Sequence, residues 1–261
     1  MNYDGLTLPL RHEKPRMNGI TILIDNGVPL NYFRDTIMSA VSYIDFVKFG
    51  WGTSIISGQL QEKIDCLNDN HVDFFFGGTL FEKFLSQGKI DDYYKYCSRF
   101  GCKFVEISNG TIPLSNFEKS IYISEFSKDF TVLSEVGSKD TEKSMDENPK
   151  MWLEYIQEDL EAGAFKVITE ARESGTSGIC NGKGEIRTDM MEMILNSGIG
   201  LDSVIFEAPN KKMQTFFISE LGANVNLANI PFSDPIALET LRVGLRSDTF
   251  FIGGLVNERR E

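Results

Sequence analysis

The clearest pattern in this chain is a regular alternation of two kinds of segment. Short runs rich in β-branched and aromatic residues predict strands, and between them lie longer stretches whose apolar residues recur at helical spacing. The predicted strands are residues 21–25, 44–48, 73–76, 103–107, 131–136, 166–170, 204–207 and 224–227. Each interval between strands is long enough for a helix, so the chain consists of consecutive strand–helix units.

The intervals carry helical signals of their own. Apolar residues fall on one face in three of them: Leu30, Phe33, Ile37 and Val41; Leu60, Ile64 and Leu67; and Trp152, Ile156 and Leu160. Ser115 followed by Glu118 predicts a capping box at a helix start, and the pair Asp234 and Pro235 predicts another helix start.

The number and order of these units favour one fold. Eight strand–helix units with right-handed crossovers in 261 residues fit a closed barrel better than an open, doubly wound sheet. We therefore predict a single (βα)8 TIM-type barrel over residues 1–261, with a polar N-terminal extension over 1–15 and a C-terminal tail over 253–261. Its active site is expected at the C-terminal ends of the strands.

Composition excludes several classes of protein. The net charge of −12 repels polyanions and no basic run is present, so no nucleic-acid partner is expected. No apolar run approaches the ~18 residues of a membrane span, and the first residues do not resemble a signal peptide, so we expect a cytoplasmic protein with no membrane partner.

Two histidines and four scattered cysteines support neither a zinc site nor a histidine-based triad. Apolar helix faces leave a homo-oligomer possible.

Acidic residues end four successive predicted strands: Glu106, Glu135, Glu170 and Glu207. At the mouth of a barrel their carboxylates would crowd together and repel one another, so they need cations. A hard divalent ion with oxygen ligands, Mg²⁺, meets that need and leaves positions for substrate oxygens. The alternative is a structural ion network in which these glutamates pair with Lys48, Lys139 or Arg172 and no metal is required.

Lys48 ends an apolar strand and is followed by Gly50 and Gly52, which allow close backbone approach. Burying a lysine there would be costly without an anion. We interpret Lys48 as a ligand-binding residue, and the alternative is that it only neutralises a neighbouring glutamate.

These strand ends lie in blocks that resemble the phosphosulfolactate synthase family. The blocks are residues 14–16, 43–54, 77–82, 106–111, 133–137, 170–175, 206–209, 224–231 and 238–249. They occur in order from Pro15 to Thr249, and their sequences are similar to those of the branch found in spore-forming Gram-positive bacteria. The resemblance implies a (βα)8 barrel that catalyses Mg²⁺-dependent addition of sulfite to phosphoenolpyruvate, giving (2R)-phospho-3-sulfolactate.

The resemblance also implies roles for particular side chains. Both substrates are anions, so an acidic protein must gather cations locally. Lys139 is the expected general acid at C2 of phosphoenolpyruvate, while Arg172 suits the phosphate or sulfonate and Lys48 the carboxylate or sulfite. The remaining expected substrate-binding residues are Arg16, Lys211 and Asn226. Archaeal members have two lysines after Glu-Val-Gly, whereas this chain has Ser138 and then Lys139.

Two other functions stay open at this level. One is a different metal-dependent barrel lyase or isomerase acting on a small phosphorylated acid, which would use the same pocket without sulfite. The other is a catalytically silent, stress-related protein, because the family also includes a plant heat-stress branch.

Overall fold

The structure is a computed structural model that describes residues 5–137, 148–171, 179 and 187–252. Its strands are β1 (Thr21–Asp25), β2 (Phe46–Phe49), β3 (Asp73–Phe76), β4 (Phe104–Ile107), β5 (Thr131–Val136), β6 (Lys166–Thr169), β7 (Val204–Glu207) and β8 (Leu227–Pro231). Parallel hydrogen-bonded pairs join them in the order β3-β2-β1-β8-β7-β6-β5-β4. Because β3 and β4 also lie side by side, the sheet forms a nearly closed barrel, which confirms the predicted (βα)8 fold.

Helices occupy the crossovers between the strands. They are α1 (Leu30–Ala40), α2 (Thr53–Ile56), α3 (Leu60–Asp69), α4 (Gly78–Leu85), α5 (Ile90–Arg99), α6 (Asn116–Phe126), α7 (Pro149–Glu161), α8 (Thr188–Asn196), α9 (Lys211–Leu221) and α10 (Pro235–Arg242). The predicted capping box is present, since Ser115 Oγ accepts from the Glu118 N–H and the Glu118 carboxylate accepts from the Ser115 N–H. In the described ranges, no helix combines the length and apolar character needed to cross a bilayer.

The predicted strands match the structure closely until the last one. β1, β3, β5 and β7 have the predicted bounds, and the others among β1 to β7 differ by one or two residues at an end. The eighth strand was predicted three residues too early, because Asn224 and Asn226 alternate with apolar residues as in a strand. The side chain of Asn226 instead binds backbone groups where strands begin, accepting from the Ile20 N–H and donating to the Val204 carbonyl oxygen. β8 starts one residue later.

Alternating side chains divide the core into two layers, one inside the barrel and one between barrel and helices. The inner cluster consists of Ile20, Ile22, Phe46, Phe75, Leu133, Ile168, Ile205 and Ala228, with Phe104 packed against it. The neighbouring positions, such as Leu23, Val47 and Val105, face outward and pack against the helices. The inner cluster therefore forms a packed core inside the barrel.

The amino-terminal segment packs across the end of the barrel where the strands begin. Arg11 Nε lies 2.9 Å from Glu239 Oε1, and Arg16 Nη2 lies 2.8 Å from Asp45 Oδ2. Fully buried Arg242 donates to the carbonyl oxygens of Val225 and Ile20. These ion pairs and hydrogen bonds offset the cost of burying the arginines, and among the described residues the Nε of Arg242 is left without a hydrogen-bond partner.

A buried ion pair joins α6 to α7 behind β5. Lys119 Nζ lies 2.7 Å from Asp159 Oδ2 and donates to the carbonyl oxygen of Glu135 at 3.0 Å, and neither ion-pair side chain is exposed to solvent. Burial raises the pKa of Asp159, and the Lys119 ammonium opposes that rise. The pair therefore fastens two helices to the strand that carries Glu135.

Replacing Lys119 with Met should lower the free energy of unfolding by about 3–5 kcal/mol, because the carboxylate of Asp159 would stay buried without its partner. Urea unfolding at neutral pH measures this change. The matched control is Lys95→Met, which removes an exposed Lys–Asp contact of 3.7 Å and should change the free energy by less than about 1 kcal/mol. Equal effects of the two substitutions would contradict the prediction.

Candidate metal and active site

Charged side chains form a layer directly above the apolar inner cluster. In four strands the sequence places a glutamate two positions after an inward-facing apolar residue: Phe104 and Glu106, Leu133 and Glu135, Ile168 and Glu170, and Ile205 and Glu207. The same spacing in β2 relates Phe46 to Lys48. Because side chains two positions apart share a face, all five charged groups point into the barrel near the ends of their strands. All five residues are buried.

Three of the glutamates converge closely enough to share one ion. Glu135, Glu170 and Glu207 each offer a carboxylate oxygen within 4.8 Å of the other two. The residues present therefore form a group that could hold a metal ion, and this group includes three of the four glutamates expected as ligands, without Glu106.

Glu106 is held differently from the other glutamates. Its Oε1 accepts from the Gly78 N–H at 2.6 Å, and its Oε2 lies 2.9 Å from Lys48 Nζ. A Cβ on Gly78 would lie 2.3 Å from Ser108 Oγ and 2.9 Å from Glu106 Oε1, so only glycine allows this approach. The first residue of α4 thus fixes the Glu106 carboxylate near the end of β4.

Lys48 is the charge partner of the glutamates. Besides Glu106, its Nζ lies 3.4 Å from Glu135 Oε2 and 3.3 Å from Glu207 Oε1. Burial by itself would lower the pKa of Lys48, but the surrounding carboxylates raise it well above its usual value. Lys48 is therefore a permanent cation at neutral pH. These are the contacts that the ion-network alternative requires, and the metal cluster lies beside them.

One ammonium does not balance four carboxylates in a buried site. Burial raises the pKa of Glu207 to about 7. The carboxylate of Glu135 acts in the same direction, whereas the Lys48 ammonium and the Ala171 N–H, which donates to Glu207 Oε2 at 2.7 Å, act against it. Glu207 thus takes up a proton near neutral pH when no other cation is present.

The charged layer forms the floor of a cavity of about 480 Å³ at the carboxyl ends of the strands. The described residues that line it are Ile24, Lys48, Trp51, Gly77, Gly78, Thr79, Glu106, Thr111, Glu135, Glu170, Ala171, Glu207 and Asn229. A cavity of this volume can hold a small-molecule substrate. Lys48 is the one basic side chain among these lining residues.

Two segments beside the cavity are built on close backbone approach. Gly137, which follows β5, has φ +127°, and a Cβ there would lie 2.8 Å from the Cβ of Glu170 and from the ring of Trp152. Trp51, between Gly50 and Gly52, has φ +49°, a left-handed conformation that is uncommon for a bulky residue. Both backbone conformations occur in the segments that directly follow β5 and β2, beside the cavity.

The structure brings five of the predicted site residues together: Lys48, Glu106, Glu135, Glu170 and Glu207. It does not bring Arg16 or Asn226 to this cavity, because both lie at the opposite, amino end of the barrel. Lys211 begins α9 and forms an ion pair with Asp248 at 2.8 Å, outside the lining residues. Lys139 and Arg172 lie outside the described residues.

Sequence reasoning missed Trp51 and Asn229 as cavity residues. The signal for Trp51 was available, since it lies between two glycines immediately after Lys48. Asn229 was obscured by the early placement of the eighth strand, which drew attention to Asn226 instead.

Comparisons with known proteins agree on one family. A family model described as (2R)-phospho-3-sulfolactate synthase matches residues 9–248. The phosphosulfolactate synthase of Bacillus subtilis (strain 168) is 59% identical over 252 residues, covering 97% of this chain and 100% of that protein. The phosphosulfolactate synthase of Methanothermobacter thermautotrophicus is 42% identical over 252 residues, covering 95% of this chain and 96% of that protein.

Solved structures resemble the chain in fold. A crystal structure of phosphonopyruvate hydrolase has a TM-score of 0.54 and 12% sequence identity, covering 85% of this chain and 79% of that one. At this level of identity the similarity concerns the barrel architecture alone.

Binding of a divalent ion should depend on pH through Glu207. Its carboxyl group has a pKa of about 7, so an ion that binds below this pH must displace a proton. The dissociation constant for Mn²⁺ should therefore fall about tenfold between pH 6 and pH 8. Mn²⁺ titrations followed by electron paramagnetic resonance measure this constant. Calorimetric titrations in buffers of different ionisation enthalpy report the proton that is released when the ion binds. A dissociation constant that is equal at the two pH values would refute this assignment.

Proposed function

The chain belongs to the (2R)-phospho-3-sulfolactate synthase family, and on that premise we propose that it is a carbon–sulfur bond-forming lyase that adds sulfite to phosphoenolpyruvate with Mg²⁺ as cofactor. The product is (2R)-phospho-3-sulfolactate. The observation that supports this proposal best is the cluster of Glu135, Glu170 and Glu207 beside Lys48 in a cavity at the carboxyl end of the barrel.

The donor set fits Mg²⁺. The three clustered side chains offer hard carboxylate oxygens, and neither histidine nor cysteine lies among the described lining residues, so a softer metal has no preferred ligand there. Glu135, Glu170 and Glu207 would hold the ion. When bound, Mg²⁺ supplies positive charge for the carboxylate of phosphoenolpyruvate, where negative charge collects as sulfite adds.

The reaction joins two anions without a leaving group. The lone pair on the sulfur of sulfite forms a bond to C3 of phosphoenolpyruvate, the C2–C3 double bond becomes a single bond, and a proton is delivered to C2. A site for this reaction must reduce repulsion between the substrates and supply a proton on one face.

Lys48 performs the first of these tasks from a fixed position. Its ammonium keeps Glu106, Glu135 and Glu207 close together, and it stays charged because those carboxylates raise its pKa. A permanently protonated lysine is a poor proton donor but a good source of positive potential. Its role is therefore to organise the carboxylates and to attract the incoming anions.

Lys139 is the proposed proton donor to C2, and Arg172 the proposed clamp on the phosphate or sulfonate. Lys139 follows Gly137 by two residues, and Arg172 follows Ala171, whose N–H holds Glu207. Ala171 lines the cavity, and Glu135, four residues before Lys139, also lines it. The planar guanidinium of an arginine suits bidentate binding of a phosphate or sulfonate. Arg16 and Asn226 have no part in this proposal, because they lie at the other end of the barrel.

The reaction itself is tested by incubating the purified protein with phosphoenolpyruvate and sulfite, with and without Mg²⁺, and following the products by ³¹P NMR. Phosphosulfolactate should form only when all three are present, and Glu135→Gln should raise the Mg²⁺ concentration needed for half-maximal rate by tenfold or more. Glu125→Gln, an exposed change on α6, is the control and should behave as wild type. No product, despite Mg²⁺-dependent binding of phosphoenolpyruvate, would show that the protein is a different barrel enzyme.

Lys139→Ala should reduce kcat by about 10²–10⁴-fold, because the proton at C2 would lose its donor. The dissociation constant of phosphoenolpyruvate in the presence of Mg²⁺ should change little. Single-turnover kinetics and calorimetry separate these two effects. Lys128→Ala, an exposed change after α6, is the control. A wild-type kcat in Lys139→Ala would remove this residue from the mechanism.

A further inference from the structure

β8 departs from the regular alternation that places the other charged and polar groups. In a regular strand, successive side chains point to opposite faces. Leu227 packs outside the barrel and Ala228 inside it, as expected. Asn229 should then point outward, yet it lines the interior cavity, and Ile230 packs outside. Two successive residues of this strand therefore face the interior.

A bulge in the strand explains the departure. β8 pairs with β1 through Thr21 and Leu227, and next through Leu23 and Ile230. Three residues of β8 thus advance against two residues of β1, which is the one-residue excess that defines a β-bulge. Asn229, inside the bulge, has φ +55° in the left-handed region. Asparagine adopts this conformation more readily than most residues other than glycine.

The redirected side chain has an unsatisfied polar atom. Asn229 is 7% exposed, and its Oδ1 is buried without a hydrogen-bond partner in the part of the chain that the structure describes. Asn226, one residue before β8 and 1% exposed, makes hydrogen bonds through both its oxygen and its nitrogen. Buried amide oxygens normally have a partner, so the difference between these two residues points to a ligand for Asn229.

We propose that the bulge in β8 brings Asn229 Oδ1 to the divalent ion held by Glu135, Glu170 and Glu207, as a neutral oxygen donor that contacts the ion directly or through one of its water molecules. This inference rests on the metal site of the proposed function. Both substrates of that function are anions rich in acceptor oxygens, whereas an amide oxygen that lacks a partner requires a cation or a hydrogen donor.

The charge balance explains why a neutral group belongs there. Glu106 is already held by Lys48 and by the Gly78 N–H, so it is committed elsewhere. A further carboxylate at the ion would add negative charge to a site that must accept two anions. An amide oxygen increases the number of oxygen donors without changing the charge. The left-handed backbone conformation at Asn229 then lets a fourth oxygen donor face the cavity. In a regular strand this side chain would point out of the barrel.

Asn229→Gly tests the proposal while preserving the backbone, because glycine adopts a positive φ without strain. Mn²⁺ alone, without substrate, serves as the probe, and its binding to metal-free protein is followed by electron paramagnetic resonance. The dissociation constant of the variant should rise by tenfold or more relative to wild type, while the midpoint of thermal unfolding without metal stays equal or rises. His71→Gly is the matched control, since His71 has φ +53° but lies at the other end of the barrel, and its Mn²⁺ affinity should be unchanged.

Other results would overturn the proposal. A wild-type Mn²⁺ dissociation constant in Asn229→Gly would do so, even if the variant bound phosphoenolpyruvate more weakly, because the amide would then serve the substrate and not the ion. Absence of Mn²⁺ binding to the wild-type protein would also refute it. Mn²⁺ binding that depends on Asn229, in a protein that forms no phosphosulfolactate, would sustain this inference while refuting the proposed reaction.

Discussion

The arrangement of this protein depends on confining four carboxylates and one ammonium in the mouth of a closed barrel. Carboxylates buried together repel one another strongly, and a single lysine cannot neutralise them. Lys48 lies within 3.4 Å of an oxygen of Glu106, Glu135 and Glu207, and burial together with the neighbouring carboxylates raises the pKa of Glu207 to about 7. The site is therefore prepared to receive positive charge, either as protons or as a metal ion.

Most of the surrounding structure positions these charges. The Gly78 N–H holds Glu106, the Ala171 N–H holds Glu207, and Lys119 supports the backbone of Glu135. In each case the supporting group belongs to a segment that follows a strand. Because the strands are parallel, these segments begin at the same end of the barrel. The carboxylates of Glu106 and Glu207 and the backbone of Glu135 are thus positioned by hydrogen bonds from groups outside the proposed chemistry. Such support keeps repelling groups at fixed distances before any substrate arrives.

The two ends of the barrel use charge in different ways. At the amino end, Arg11, Arg16 and Arg242 bind Glu239, Asp45 and backbone carbonyl oxygens, and these contacts join the amino-terminal segment to the strands. At the carboxyl end, acidic groups outnumber the basic side chain among the described lining residues. The packed inner cluster separates the two ends. An excess of acidic charge therefore lies at the carboxyl end, where a ligand can compensate it.

Sequence patterns were sufficient for the architecture and for much of the site. Strand–helix alternation predicted the barrel, and the positions of Glu106, Glu135, Glu170 and Glu207 at the ends of four successive predicted strands predicted that they share its mouth. Such periodicity is local, so it can be recognised without coordinates. It failed for Arg16 and Asn226, since a residue type does not show at which end of a strand its side chain finds partners.

By itself the sequence determined the fold, the family and the set of charged residues that end the strands, because each of these is encoded in short-range spacing. Tertiary structure alone decided how they are combined. It separated Glu106 from the three clustered glutamates, because the Gly78 N–H and the Lys48 ammonium bind its two carboxylate oxygens. It also brought Asn229 into the cavity, because a bulge in β8 is defined by pairing with β1 and not by the residues of β8 alone.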